Sequence, residues 1–239
     1  MHFDIQQLTL AWIVTAFAGV VQGTIGFGYA VLSVPVLALI NPLFAPMPQI
    51  LMSLPMTSFM AYRERSNLEW QGIGWILIGR LPGTIAGAWL LVVASQVVLQ
   101  RSLALVVFLA ALIIGSGVSL PRTKLTRTVA GFISGIASMT SAIGGPPLAL
   151  LYRDLPGPVM RSSLGAVFFV GVLLSAIALT FTGRITMDVL VIAALLSPAL
   201  LLGTYLSRFL TGRVEGKPLR TATLAVSVMA AVLVLIRSL

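Results

Sequence analysis

One charged side chain falls where a charge is expensive. Arg80 lies ten residues into an apolar stretch that opens at Trp70. That is about 15 Å along a helix at 1.5 Å per residue, near mid-bilayer if the stretch crosses one. A charge there costs at least roughly 2.5 kcal/mol and usually faces a cavity or a partner. No acid in the same stretch is close enough to pair, since Glu69 is eleven residues away. Two readings stand. Arg80 is the cation of a site for an anion, or the helix starts later and its side chain snorkels to an interface.

Two glycine- and proline-rich segments could complete such a site. The first runs Gly19, Gln22, Gly23, Thr24, Gly26, Gly28, Ser33, Pro35; the second runs Gly131, Ser134, Gly135, Ser138, Thr140, Ser141, Gly144, Gly145, Pro146, Pro147. Proline removes an N–H donor and obstructs the turn before it, and glycine tolerates backbone angles closed to other residues. Together they are expected to end helices in the middle of apolar stretches. Freed backbone groups must then line a cavity or be buried in protein. N–H groups freed at a half-helix N-terminus carry positive partial charge and suit an anion. The hydroxyls of Thr24, Ser33, Ser138, Thr140 and Ser141 and the amide of Gln22 can bond oxyanion oxygens without adding charge. The competing reading is packing, because small residues let membrane helices approach closely.

Other chemistry is limited by inventory. The chain has no cysteine and one histidine, His2. A His/Glu metal cluster, a Ser-His-Asp arrangement and a cysteine nucleophile are therefore excluded. The six acids, Asp4, Glu64, Glu69, Asp154, Asp188 and Glu215, fall near expected ends or loops, so no carboxylate sits mid-span. Gly26 and Gly28 are no dinucleotide fingerprint, as no strand precedes them. No catalytic activity, cofactor or metal is expected.

The elements that would hold these residues follow from composition. The 239 residues are 58% hydrophobic and 9% charged, against roughly 25% charged in a soluble domain. Continuous apolar runs of about 18 residues or more indicate membrane-spanning helices, whereas a porin-type barrel would alternate polar and apolar residues. The fold class expected is an all-α integral membrane protein. Each half reads as five elements, at 8–28, 29–43, 47–62, 70–94 and 101–120, then 127–141, 142–152, 161–181, 187–210 and 219–237. The first two of each half read as broken helices or re-entrant hairpins.

The halves repeat. Ala18, Gly19, Gly23, Ala30, Pro35 and Leu39 recur 112 residues later as Ala130, Gly131, Gly135, Ala142, Pro147 and Leu151. The register then slips by four, so that Pro82, Gly87 and Leu90 match Pro198, Gly203 and Leu206. An odd number of crossings per half inverts the second repeat, and broken helices at equivalent places point to a site at the repeat interface. The expected organisation is one domain, 1–239, with repeats at about 8–120 and 127–237.

The net charge of +9 reads as topology rather than as nucleic-acid binding. One face would receive Arg63, Arg65, Arg122, Lys124, Arg127, Arg153, Arg161, Arg208, Arg213, Lys217 and Arg220; the other only Arg101, Arg184 and Arg237. Basic loops stay cytoplasmic, which puts both termini outside. Trp70 reads as an interfacial anchor. Arg161 is a second candidate site cation, set against its reading as a basic anchor at the start of a span. The N-terminus lacks the basic start of a signal peptide, so the first apolar segment is expected to be kept.

At these residues the chain resembles the TauE/SafE family of sulfite and organosulfonate exporters. The resemblance is carried by Gly23, Gly26 and Gly28 running into Val34 and Pro35, and by Gly131 and Gly135 running into Gly144, Gly145, Pro146, Pro147 and Leu148. Length and duplicated organisation agree. The first copy departs from the family's frequent glycine run, with Phe27 and Tyr29 interleaved. The resemblance implies anion transport across a bacterial inner membrane, with sulfite, sulfoacetate and related compounds as substrates. Carried over by motif position, the substrate-binding residues are Gln22, Thr24, Gly26, Gly28, Ser33, Pro35, Ser138, Thr140, Ser141, Gly144, Gly145 and Pro147. Arg80 is added from charge and depth alone. The reading is a secondary transporter for a small sulfur-containing anion, working outward by alternating access. Its partners are that anion and the bilayer, with no nucleic acid; a homodimer is one open assembly. An anion channel of the same architecture and a non-transporting membrane partner protein are the alternatives.

Overall fold

The computed structural model describes residues 4–211, with positions 225, 229, 232, 233 and 236 beyond them. The expected span 219–237 falls almost wholly outside the described residues, as do Arg213, Glu215, Lys217, Arg220, Arg237 and His2. The described elements are helical: α1 Ile5–Ile25, α2 Tyr29–Ile40, α3 Met47–Arg63, α4 Trp70–Val93, α5 Gln96–Gly115, α6 Lys124–Ser141, α7 Gly145–Tyr152, α8 Gly157–Phe181 and α9 Met187–Leu210. Of these, α1, α4, α5, α8 and α9 are long and apolar enough to cross a bilayer. Trp70 is exposed at the start of α4, as an interfacial ring would be.

Helix starts follow local capping. Asp4 accepts from the Gln6 N–H, Thr186 from that of Val189, and Thr123 and Thr126 form a reciprocal capping box, each supplying acceptors to N–H groups that a helix leaves open. Capping also moves one expected boundary. Ser95 accepts from the Val98 N–H, so α5 begins at Gln96 rather than at 101, and it ends at Gly115, short of the expected 120. Arg101 therefore lies inside α5 and not in the loop before it. Likewise Arg161 falls in the second turn of α8, which begins at Gly157.

Both expected breaks occur, but prolines do not make them. Gly26 ends α1 at φ 99° and Gly28 follows at φ 114°; Ala142 ends α6 at φ 60°. These left-handed angles stop a helix. Pro35 lies inside α2, and Pro146 and Pro147 lie in the first turn of α7, where a missing N–H costs nothing. The breaks are also 116 residues apart, Gly26 against Ala142. The same offset of 116 already holds inside the helices: a side chain on Gly19 would meet the Leu200 carbonyl and the Thr204 nitrogen, as one on Gly135 would meet the Arg80 carbonyl and the Thr84 nitrogen. Gln22 and Ser138 become counterparts, each four residues before the residue that caps its helix.

The halves exchange partners. The seam between α4 and α6 and that between α1 and α9 are the two most extensive packings, and α3 packs on α8. Small residues make the seams. A side chain on Gly131 would meet the Ile76 carbonyl, one on Gly79 the Thr128 carbonyl, and one on Gly203 the Ala16 carbonyl. For these glycines the packing reading is correct. Each hairpin closes on itself: Asn41 Nδ2 donates to Gln7 Oε1 at 3.3 Å, and the Leu120 N–H donates to the Leu150 carbonyl at 3.1 Å.

Basic residues gather at one end of the bundle. There Glu64 pairs with Arg63 at 3.2 Å and Arg161 at 3.0 Å, and Glu69 pairs with Arg122 at 3.2 Å and Arg127 at 2.9 Å. The opposite end holds Arg184, which donates to the Leu91 carbonyl at 2.9 Å.

Gly131→Val should push α6 off α4 and lower stability by about 1–3 kcal/mol or more. Gly74→Ala, with nothing near its added methyl, should leave stability unchanged or raise it by up to about 1 kcal/mol. Thermal unfolding of the detergent-purified protein reads both.

Candidate functional site

Arg80 lies in the α4–α6 seam, beside a cavity that both breaks border. It is 2% exposed. Its Nη1 donates to Ser134 Oγ and its Nη2 to Ser138 Oγ, each at 2.9 Å. The guanidinium lies 5.8 Å from the centre of the Phe168 ring, within cation–π range. Gly171 on α8 makes the space, because a Cβ there would strike the guanidinium. Its Nε has no hydrogen-bond partner, and no carboxylate pairs with Arg80 among the described residues. The snorkelling reading therefore fails for this residue: the charge is held inward.

Beside it lies a cavity of about 60 Å³, room for one small anion or a few waters. Gln22, Gly28, Arg80, Ser138, Gly144 and Gly145 line it, so these expected site residues do come together. The N–H groups of Ala30, Val31, Gly144 and Gly145, which also border it, find no acceptor among the described residues. Ser175 Oγ, in the same lining, has no partner either. Among the described residues no carboxylate borders the cavity. Positive partial charge at the starts of α2 and α7 adds to the full charge of Arg80.

The remaining expected residues stand behind this lining. The Gly26 carbonyl accepts from Gln22 Nε2 at 3.3 Å, while Gln22 Oε1 accepts from the Tyr29 N–H at 2.9 Å. One amide thus bridges the first break from both sides. Ser33 donates to Gln49 Oε1 at 3.2 Å, and Tyr29 Oη bonds the same oxygen. The hydroxyls of Thr24 and Ser141 bond carbonyls of their own helices, Val20 at 2.8 Å and Ala137 at 2.7 Å. Thr140 bonds the Ile136 carbonyl and lines a different cavity. Pro35 and Pro147 do not border the Arg80 cavity.

Arg161 plays another part. It lies at the basic end, as an anchor would, but is 4% exposed. Its Nε contacts both oxygens of Glu64 at 3.0 Å and its Nη1 donates to the Thr24 carbonyl at 3.3 Å. Arg63 Nη2 donates to the Gly23 carbonyl at 2.8 Å. Two cations thereby cap the C-terminal end of α1, where the helix dipole is negative.

The chain matches the sequence profile of the Sulfite exporter TauE/SafE family over residues 11–234. It belongs to the TauE/SafE family. No match was found among curated proteins or among solved structures. TauE/SafE is a transporter family, and with five apolar helices this member is a multi-pass membrane protein. The TauE/SafE motif led to Ser138, Gly144 and Gly145 but passed over Ser134, Phe168 and Gly171. Ser134 was within reach, since it follows Gln22 by 112 residues. Gly171 and Phe168 carry no local signal; only the packing of α8 brings them to the guanidinium.

Ser134 donates to the Gly144 carbonyl at 2.7 Å and accepts from Arg80. Ser134→Ala should therefore loosen the second break and unseat Arg80 together. A cost of about 1–3 kcal/mol is expected for the groups left unbonded, read as a lowered Tm in detergent.

Proposed function

We propose that this TauE/SafE protein is a secondary transporter that exports a small sulfur-containing anion, such as sulfite, sulfoacetate or a related sulfonate. One observation carries the reading: among the described residues, a buried guanidinium has no carboxylate partner and lies beside a cavity bordered by residues whose N–H groups find no acceptor. A cation in low-dielectric surroundings is stabilised strongly by an anion. The oxyanion would take hydrogen bonds from Arg80 and from the N–H groups at the starts of α2 and α7. Ser138 and Gln22 would complete the contact, and Thr24, Gly26, Ser33, Ser141, Pro35 and Pro147 would shape the backbone around it.

The transport cycle is read as alternating access by two inverted repeats within one domain. Supporting this, α1 begins at the end of the bundle where Asn41 meets Gln7, while α6 begins at the other end, where Arg127 meets Glu69. The exchanged packing of α1 on α9 and α4 on α6 is what a pseudo-two-fold relation requires, and broken helices meeting between such halves are the usual carrier arrangement. The basic end is read as cytoplasmic in a bacterial inner membrane, by the bias of basic loops. The membrane potential, negative inside, would then drive the anion outward. Assembly as a homodimer is a question for the purified protein.

The test is sulfite binding and flux. Saturating sulfite should raise the Tm of the wild-type protein, by mass action on the folded state, and proteoliposomes should show saturable, counter-exchanging efflux. Arg80→Gln should weaken sulfite binding at least tenfold while the protein stays folded. Arg80→Lys should rescue it only partly, since an ammonium cannot span both serines. Unchanged affinity in Arg80→Gln would sink the site; flux without saturation or exchange would make the protein a channel.

A further inference from the structure

The Arg80 cavity is not the largest. A second, of about 470 Å³, lies at the end of the bundle opposite the Glu64 and Glu69 ion pairs, between the turn at 42–48, the start of α5, the last turn of α6 and the loop before α9. Its polar lining is Arg184, Gln100 and Thr140. Arg184 is pinned by its bond to the Leu91 carbonyl, and no carboxylate pairs with it among the described residues. Asp188, four residues on, is exposed and makes no ion pair among them. At an end of the bundle poor in basic residues, this is a fixed positive charge bordering a cavity.

The two cavities share a wall. Ile50, Leu91, Met139 and Leu179 form one apolar cluster, with Met47, Leu99 and Ala142 packed on it. Ile50 and Ala142 border the Arg80 cavity; Met47 and Leu99 border the second. The end of α6 reaches both, with Ser138 in the lining of one and Thr140 in that of the other. One apolar cluster thus borders both cavities, each of which has an arginine in its lining. Dry apolar contacts oppose the passage of an ion as long as they stay closed.

We propose that the second cavity is an anion-binding vestibule, in which Arg184, Thr140 and Gln100 hold a small oxyanion between solution and the Arg80 site. The apolar cluster is the barrier it must pass. The path rests on the transport reading above; the electrostatics of the vestibule do not.

The chain has no cysteine, so a thiol can be introduced alone. Gln100→Cys is made in the full-length protein, with Thr140→Cys as a second, deeper position. Each is reacted with an anionic sulfonatoethyl and a cationic trimethylammonioethyl methanethiosulfonate, and the ratio of the two rates is taken. Adding Arg184→Gln should lower the anionic-to-cationic ratio about tenfold, the local field having lost one unit of charge. Adding Arg80→Gln should leave the ratio unchanged, and sulfate, an oxyanion that does not react with either reagent, should slow the anionic one when Arg184 is present. A ratio indifferent to Arg184, or no reaction of either thiol with either reagent, would overturn the vestibule. Absence of sulfite flux with the ratio still dependent on Arg184 would overturn the transport reading and leave the vestibule standing.

Discussion

A guanidinium in the middle of an apolar bundle, with no carboxylate paired to it among the described residues, is the constraint around which the other features arrange themselves. Desolvating such a group costs several kcal/mol even after relaxation. Two serine hydroxyls and a ring face offset part of that cost, but none of them is an anion. The second helix break is built into the same arrangement, since Ser134 bonds both the guanidinium and the Gly144 carbonyl. Holding the charge and holding the break open are therefore one structural task.

That task needs close helix contacts, and glycine supplies them. Within a bilayer the hydrophobic effect gives no preference for helix against helix over helix against lipid, so approach distance and dispersion decide which faces meet. Glycines on α4 and α6 let their backbones touch, which brings Arg80 within reach of Ser134 and Ser138. On α8, Gly171 gives up its side chain for the guanidinium itself. A single methyl at any of these places would be felt at the site.

Much of the architecture was legible because apolar run length is a one-dimensional property. The spans at 47–62, 70–94 and 187–210 fall within a residue of α3, α4 and α9. The depth of Arg80 followed from counting along its own helix. What could not be read depends on the partner helix. The burial of Arg161 needs Glu64 from another element, and the space for Arg80 needs Gly171. The breaks fall where expected, between α1 and α2 and between α6 and α7, but their cause differs from the one expected. Proline was given a helix-ending role that belongs to the left-handed residue before it, Gly26 or Ala142. Identities 112 apart then hid a four-residue offset that the caps reveal.

The two halves share spaced residues in sequence but differ in charge. Arg80 stands in α4, and at its counterpart 116 residues later, by the spacing that pairs Pro82 with Pro198, α9 carries Leu196. The first break is bridged by Gln22, whereas Ser134, which bonds the second at the Gly144 carbonyl, also accepts from Arg80 of the other half of the chain. A chamber of this kind has a head and a foot: its one charge, Arg80, is seated against α6, and under the proposed function an anion would take its orientation from that side.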